Sequence, residues 1–211
     1  MLLIFDLDDT LIDTFHSVTI LAYKALILEL NKKRSVQLNV DQALVELIEL
    51  RFYAGSSMKT LELFFNLHKI ESSLKTAFDF VYCFRNYFEI ELSPGVYEFL
   101  KKNKHIKKVI VTRGVEDRQR DKIRKSKLSM FHFEKVVVVS SGDKSQAYQE
   151  VLNEFKPKKS ILIADRKEDF AYTQGLFTKR VFFVVPYFKE VKLDFFEDLK
   201  ISNLKDLADV L

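Results

Sequence analysis

The stretch Leu2-Leu3-Ile4-Phe5-Asp6-Leu7-Asp8-Asp9-Thr10-Leu11-Ile12-Asp13 runs four apolar residues into three carboxylates within four positions. A short apolar run of this kind reads as a buried strand, and the acids stand where it ends. Residues two apart on an extended segment point to the same side, so Asp6 and Asp8 can face one site. Like charges crowded there cost free energy unless a cation offsets them. The stretch therefore predicts a bound metal and chemistry on an anion.

Beyond Asp13 the apolar period changes. Phe15, Val18, Leu21, Ala22, Ala25, Leu26 and Leu28 recur at helical spacing, and Asn31-Lys32-Lys33-Arg34 ends that helix. Further helices are predicted over 41–53, with Asp41 as N-cap, over 58–67 and over 72–87, with Ala54-Gly55-Ser56-Ser57 as a break. From Ser93-Pro94-Gly95 onward the pattern alternates. A short helix covers 96–102. Strands are predicted at 109–111, 136–139, 160–164 and 181–185. Helices are predicted over 116–127, 144–155, from Asp165 to about Phe177, and over 203–210. Alternation of continuous apolar strands with helices implies a parallel sheet covered on both faces. Ligands of such sheets bind at the carboxyl ends of the strands. Asp6, Asp8, Thr112, Asp165 and Asp169 all lie there.

The 211 residues suffice for one sizeable domain, or a domain with a smaller insert. Hydrophobic residues make up 47% and charged residues 30%, a globular composition. The net charge of +4, from 34 Lys and Arg against 30 Asp and Glu, is too slight to imply a nucleic-acid partner. Five Gly and three Pro favour long regular elements over linkers. Cys83 is the only cysteine, so no internal disulfide forms, which fits a reducing compartment. Asp6 interrupts the first apolar run too early for a signal peptide, and no later run is long enough to span a bilayer. A cytoplasmic protein that meets no membrane is expected.

Four of these features, in this order, resemble the haloacid dehalogenase superfamily of phosphohydrolases. Asp6-Leu7-Asp8-Asp9-Thr10 is similar to its first motif, Asp-x-Asp-x-Thr. Thr112, after an apolar strand, resembles the second, and Lys144, opening a helix after Gly142-Asp143, the third. Asp165 and Asp169 resemble the fourth. The helical segment between the first and second motifs resembles the α-helical cap of phosphoglycolate-phosphatase-like members. The resemblance implies a Rossmann-like three-layer α/β core with a parallel sheet, formed by residues 1–14 and 88–211, and a smaller all-α cap domain over residues 15–87.

The resemblance also implies roles. Asp6 would attack phosphorus and form an aspartyl-phosphate, and Asp8 would act as general acid, then base. Asp6, Asp8 through its main-chain carbonyl, Asp165 and Asp169 would hold Mg2+, which favours oxygen ligands. Thr112 and Lys144 would bind the phosphoryl oxygens. Arg113 stands where the family often carries Asn, and Ala164 where it often carries Gly; Arg113 either contacts substrate or points to solvent. Arg51 and Lys59, with Tyr53, Ser56 and Ser57, are the cap's candidate substrate residues. The implied partner is a small phosphorylated metabolite, with the protein a monomer or homodimer. A Mg2+-dependent phosphatase is the leading reading. A phosphomutase, or a catalytically silent phosphate-binding or partner-binding protein, is the alternative.

Simpler readings stand beside these. Thr112 alone would read as a helix cap, Lys144 as a surface lysine and Asp169 as a first-turn acid favoured by the helix dipole. Arg118, Arg120, Lys122, Arg124, Lys125 and Lys127 read as a solvated helix face. Cys83, among Phe78, Val81 and Phe84, reads as a buried structural thiol. His16, His68, His105 and His132 show no metal-ligand spacing.

Overall fold

A computed structural model describes residues 1–33, 36–54, 56–84, 89–184, 198–209 and 211. The chain divides into two compact units, Met1–Asp13 with Ile90–Leu211, and Thr14–Glu89.

The second unit is helical. A π-helical turn, Phe15–Thr19, leads into α1 (Ile20–Lys32), followed by α2 (Val40–Ala54), α3 (Ser57–Leu67) and α4 (Leu74–Phe84). Ala22, Tyr23, Leu26, Ile27 and Leu30 form the buried stripe of α1. They pack with Ala43 and Leu47 of α2, Leu61, Phe64 and Phe65 of α3, and Ala77 and Val81 of α4. This is the apolar face that a 3.6-residue period produces. The caps are polar, as helix starts require. Ser56 accepts from the Lys59 amide at 3.2 Å and Ser73 from the Thr76 amide at 3.3 Å. Asn39, not Asp41, caps α2, accepting from the Gln42 amide at 3.1 Å. His68 Nε2 stands 2.6 Å from Glu46 Oε2, joining α3 to α2.

Cys83 is exposed, against the expectation of burial. Ala77 and Val81, four apart, define the inner face of α4, and a residue two positions beyond Val81 falls on the opposite side. The expected boundaries at Arg34, Gly55, Tyr87, Val185 and Val210 lie outside the described residues.

The first unit is a six-stranded, all-parallel sheet in the order β3-β2-β1-β4-β5-β6. Its strands are β1 (Leu2–Phe5), β2 (Lys107–Arg113), β3 (Lys135–Val139), β4 (Ser160–Ala164), β5 (Lys179–Phe183) and β6 (Leu199–Ile201). Helices α5 (Val96–Lys102), α6 (Glu116–Lys125) and α7 (Ser145–Phe155) complete it. The arrangement is Rossmann-like. Leu2, Ile4, Val109, Val111, Leu162 and Ala164 pack with Ala147, Tyr148 and Val151 of α7. The alternate residues face the other layer, where the Phe5 ring meets Phe99 of α5 edge-on at 6.4 Å. Strands β2 and β4 flank β1, so the strand order reverses there. That reversal opens a crevice at the carboxyl ends of β1 and β4.

Three elements differ from expectation. After Asp165 the chain makes only the 3-10 turn Lys167–Asp169. Tyr172 at φ 59° and Gly175 at φ 78° adopt left-handed conformations that stop a helix from propagating to Phe177. The last helix is also 3-10, over Leu204–Asp209. The edge strand β6 was not expected.

The segments flanking the helical unit pair with each other inside the α/β unit. The Asp13 amide donates to Glu91 O at 2.9 Å and the Ser93 amide to Leu11 O at 3.1 Å, around an antiparallel bridge between Ile12 and Leu92.

Candidate active site

The acids after β1 are set by a tight loop. The Leu7 carbonyl accepts from the Leu11 amide at 3.0 Å and the Ile12 amide at 3.1 Å. Asp9 takes the left-handed φ of 59°, which Asp tolerates better than most residues. Thr10, fully buried, donates from Oγ1 to Asp165 Oδ1 at 3.2 Å and so ties this loop to the end of β4.

Asp6, Asp165 and Asp169 converge, each offering a carboxylate oxygen within 4.8 Å of the others, and all three are buried. Lys144, immediately before α7, inserts its ammonium among them. Nζ lies 2.6 Å from Asp6 Oδ1 and 2.8 Å from Asp169 Oδ1. The lysine is 6% exposed, so it is not a surface residue. Its placement follows from Asp143, whose Oδ1 accepts from the Ser145 amide at 2.8 Å and turns the chain into the helix.

The charge balance is three anions to one buried ammonium. Burial pushes the Asp6 carboxyl above its ordinary range; Lys144 opposes the shift, while Asp169 and Asp8 add to it. Burial also raises Asp165 well above the usual carboxylate range, with Asp6 reinforcing and Arg166 working against it. Burial alone would depress Lys144, but Asp6 and Asp169 outweigh it and raise its pKa. Both directions hold together because the lysine faces two anions, whereas Asp6 faces one cation and further anions. Asp169 Oδ2 is buried with no hydrogen-bond partner among the described residues, as is the Tyr148 hydroxyl. Converging carboxylates with an orphaned oxygen suit a divalent cation with oxygen ligands.

The Asp8 side chain goes elsewhere. Lys122 Nζ stands 2.7 Å from each of its carboxylate oxygens. The Gln119 amide nitrogen lies 3.0 Å from Asp8 Oδ2 and 2.6 Å from Thr112 Oγ1. Asp8 and Thr112 therefore belong to a second cluster, beside that of Asp6, Lys144, Asp165 and Asp169. Gln119 and Lys122 were not anticipated, and the reading of Lys122 as part of a solvated face is corrected. The available signal was that Gln119 and Ile123 alone are uncharged in α6, with Gln119 three positions before Lys122.

Arg113 is exposed, and its Nη1 contacts Gly142 O at 3.4 Å, near the Lys144 turn. Arg51 and Lys59 belong to the helical unit. Lys59 pairs with Glu62 at 3.0 Å. Arg166, half-buried, was overlooked. Burial works to lower its pKa, but Asp165, Asp9 and Asp6 raise it.

The family model described as a haloacid dehalogenase-like hydrolase matches residues 1–171. No curated protein matches the chain. Among solved structures, one from Thermotoga maritima, assigned as a beta-phosphoglucomutase, is 19% identical with a TM-score of 0.73, over 100% of this chain and 99% of that one. A structure from Haemophilus somnus 129PT, described as a predicted phosphoglycolate phosphatase, is 15% identical with a TM-score of 0.74, over 99% and 96%. The HAD-hydrolase YfnB of Bacillus subtilis, bound to magnesium, is 18% identical with a TM-score of 0.69, over 100% and 97%. At these identities the likeness is one of fold.

Proposed function

The chain belongs to the haloacid dehalogenase-like hydrolase family, and from that premise we propose that it is a Mg2+-dependent phosphatase of a small phosphomonoester metabolite. The carrying observation is the buried Lys144 ammonium held between Asp6 and Asp169, with Asp165 closing the group. Asp6 is the nucleophile. Its carboxylate oxygen bonds to phosphorus as the bond to the leaving oxygen breaks, and Asp8 gives that oxygen a proton. Asp8, now a carboxylate, takes a proton from water as the water oxygen attacks phosphorus. The bond from phosphorus to Asp6 breaks, releasing inorganic phosphate and restoring the acid. Lys144 and the Thr112 hydroxyl bind the phosphoryl oxygens and stabilise their developing charge. Asp6, Asp165, Asp169 and the Asp8 main-chain carbonyl are the residues for the metal. Bound there, Mg2+ supplies the positive charge that lets a carboxylate approach a phosphate dianion.

Arg51, Lys59 and Arg113 are assigned to substrate recognition on the family resemblance. The lone thiol at Cys83 fits a reducing compartment, and we place the protein in the cytoplasm. No helix among the described residues is long and apolar enough to cross a membrane.

The test is a panel of sugar phosphates, phosphoglycolate, nucleotides and cofactor phosphates with Mg2+ present. Asp6→Asn should abolish phosphate release while leaving thermal unfolding cooperative. Undiminished release in that variant defeats the mechanism. Isomerisation of a sugar phosphate without phosphate release assigns a phosphomutase instead.

A further inference from the structure

We propose that Tyr148 is a positioning residue of the metal site, its hydroxyl donating to Asp169 Oδ2 when the cation is bound and so fixing how that carboxylate is presented. The proposal rests on the phosphatase reading and extends its metal site.

One helix addresses Asp169 twice. Lys144 stands immediately before α7 and holds Asp169 Oδ1 at 2.8 Å. Tyr148 lies one turn further on, on the same face, and its amide donates to the Lys144 carbonyl at 2.9 Å. The tyrosine is 1% exposed. It belongs to the core layer that holds Ala164, next to Asp165, and Phe170, next to Asp169. The Phe177 ring meets it edge-on at 5.5 Å. The irregular segment after Asp169 thus packs into the layer of this tyrosine through two phenylalanines.

That layer is apolar and offers a phenol nothing to bond. The Tyr148 hydroxyl has no hydrogen-bond partner among the described residues, and neither has Asp169 Oδ2. A buried donor without an acceptor is costly, and so is a buried acceptor without a donor. Here one of each falls beside a single site. Burial chiefly, then the charges of Asp169, Asp6 and Asp165 in that order, push the phenol well above its ordinary pKa. The hydroxyl therefore remains a donor, and Asp169 is the acid that acts on it most strongly. Carboxylates that ligate a metal are as a rule hydrogen-bonded themselves. With Oδ1 held by Lys144, Oδ2 is the oxygen left for that bond.

Tyr148→Phe keeps the ring and removes only the hydroxyl. Titration calorimetry with Mg2+ gives the Kd of the wild type and of the variant, and melting curves are taken in a chelator and in Mg2+. Groups that orient metal ligands contribute about 10–100-fold in affinity, so the Kd should rise at least about 10-fold. In the chelator the variant should melt no lower than the wild type, because the hydroxyl it loses has no partner there. In Mg2+ it should melt lower. An unchanged Kd overturns the proposal. So does a melting temperature lowered equally in the chelator and in Mg2+, which would make the tyrosine structural. A wild type that takes up no Mg2+ defeats the metal-dependent phosphatase reading instead.

Discussion

The Thr10 hydroxyl donates to Asp165 Oδ1 at 3.2 Å across 155 positions of chain, joining the first acidic loop to the fourth strand. Groups that orient metal ligands typically contribute 10–100-fold in affinity or activity. Thr10→Val should therefore raise the Mg2+ concentration for half-maximal activity about 10-fold. It should also lower stability by about 1 kcal/mol, the net worth of one hydrogen bond. A metal titration of phosphatase rate, paired with chemical unfolding, checks both, and an unmoved midpoint refutes the role.

Lys144 is the only cation within hydrogen-bond distance of Asp6 and Asp169 among the described contacts. Lys144→Ala should reduce kcat by roughly 10²–10³, the usual loss for one electrostatic donor. It also leaves three buried carboxylates crowded together. The metal-free variant should melt below the wild type at neutral pH, and added Mg2+ should narrow the gap. Melting curves with a chelator or with Mg2+ measure this.

The raised pKa values of Asp6 and Asp165 set the sign of a pH effect. Above the ordinary carboxylate pKa the folded protein binds more protons at these sites than the unfolded chain does. Stability from them is full below that pKa and is lost as pH climbs through the raised values. In a chelator, the melting temperature should fall as pH climbs above the ordinary carboxylate range. Asp165→Asn should flatten the slope. Mg2+ at a hundred times its Kd should add roughly 2.7 kcal/mol at neutral pH. A wild-type slope in Asp165→Asn would show that other groups govern the profile.

Gly95 precedes α5 at φ 77°. A Cβ there would clash with the Asn203 side chain and lie 2.9 Å from the Lys205 backbone nitrogen. Gly95→Ala should destabilise the α/β unit by about 1–3 kcal/mol, from backbone strain and crowding together. Equilibrium unfolding in urea gives the value, and a change under half a kilocalorie would show that the loop relaxes freely.

The elements legible in sequence are those whose pattern is local and strong. Leu2–Phe5 is a continuous apolar run, and Ser160–Ala164 is one after its opening serine, as befits central parallel strands. The helical unit was legible because Val18, Ala22 and Leu26 repeat at helical spacing and are buried, although Leu21 and Leu28 of the same pattern are exposed. Strand β6 escaped notice because it is three residues long, carries Lys200, and pairs only with β5. The irregular segment after Asp169 escaped because Tyr172 gives no sequence hint of a positive φ.

In the site, Asp6, Asp165 and Asp169 were legible through their motifs, and the structure brings them together. Gln119 and Lys122 were not, because their partner Asp8 lies 111 and 114 positions away. No periodicity within α6 distinguishes a lysine that reaches a carboxylate from one that meets water.

The bonds between Asp13 and Glu91 and between Leu11 and Ser93 bring the two ends of residues 14–89 side by side. A short Gly-Ser bridge in place of that segment should leave the parallel sheet able to form. The junction is thus a natural seam, at which an unrelated module can be spliced into the chain without disturbing the scaffold that bears the acids.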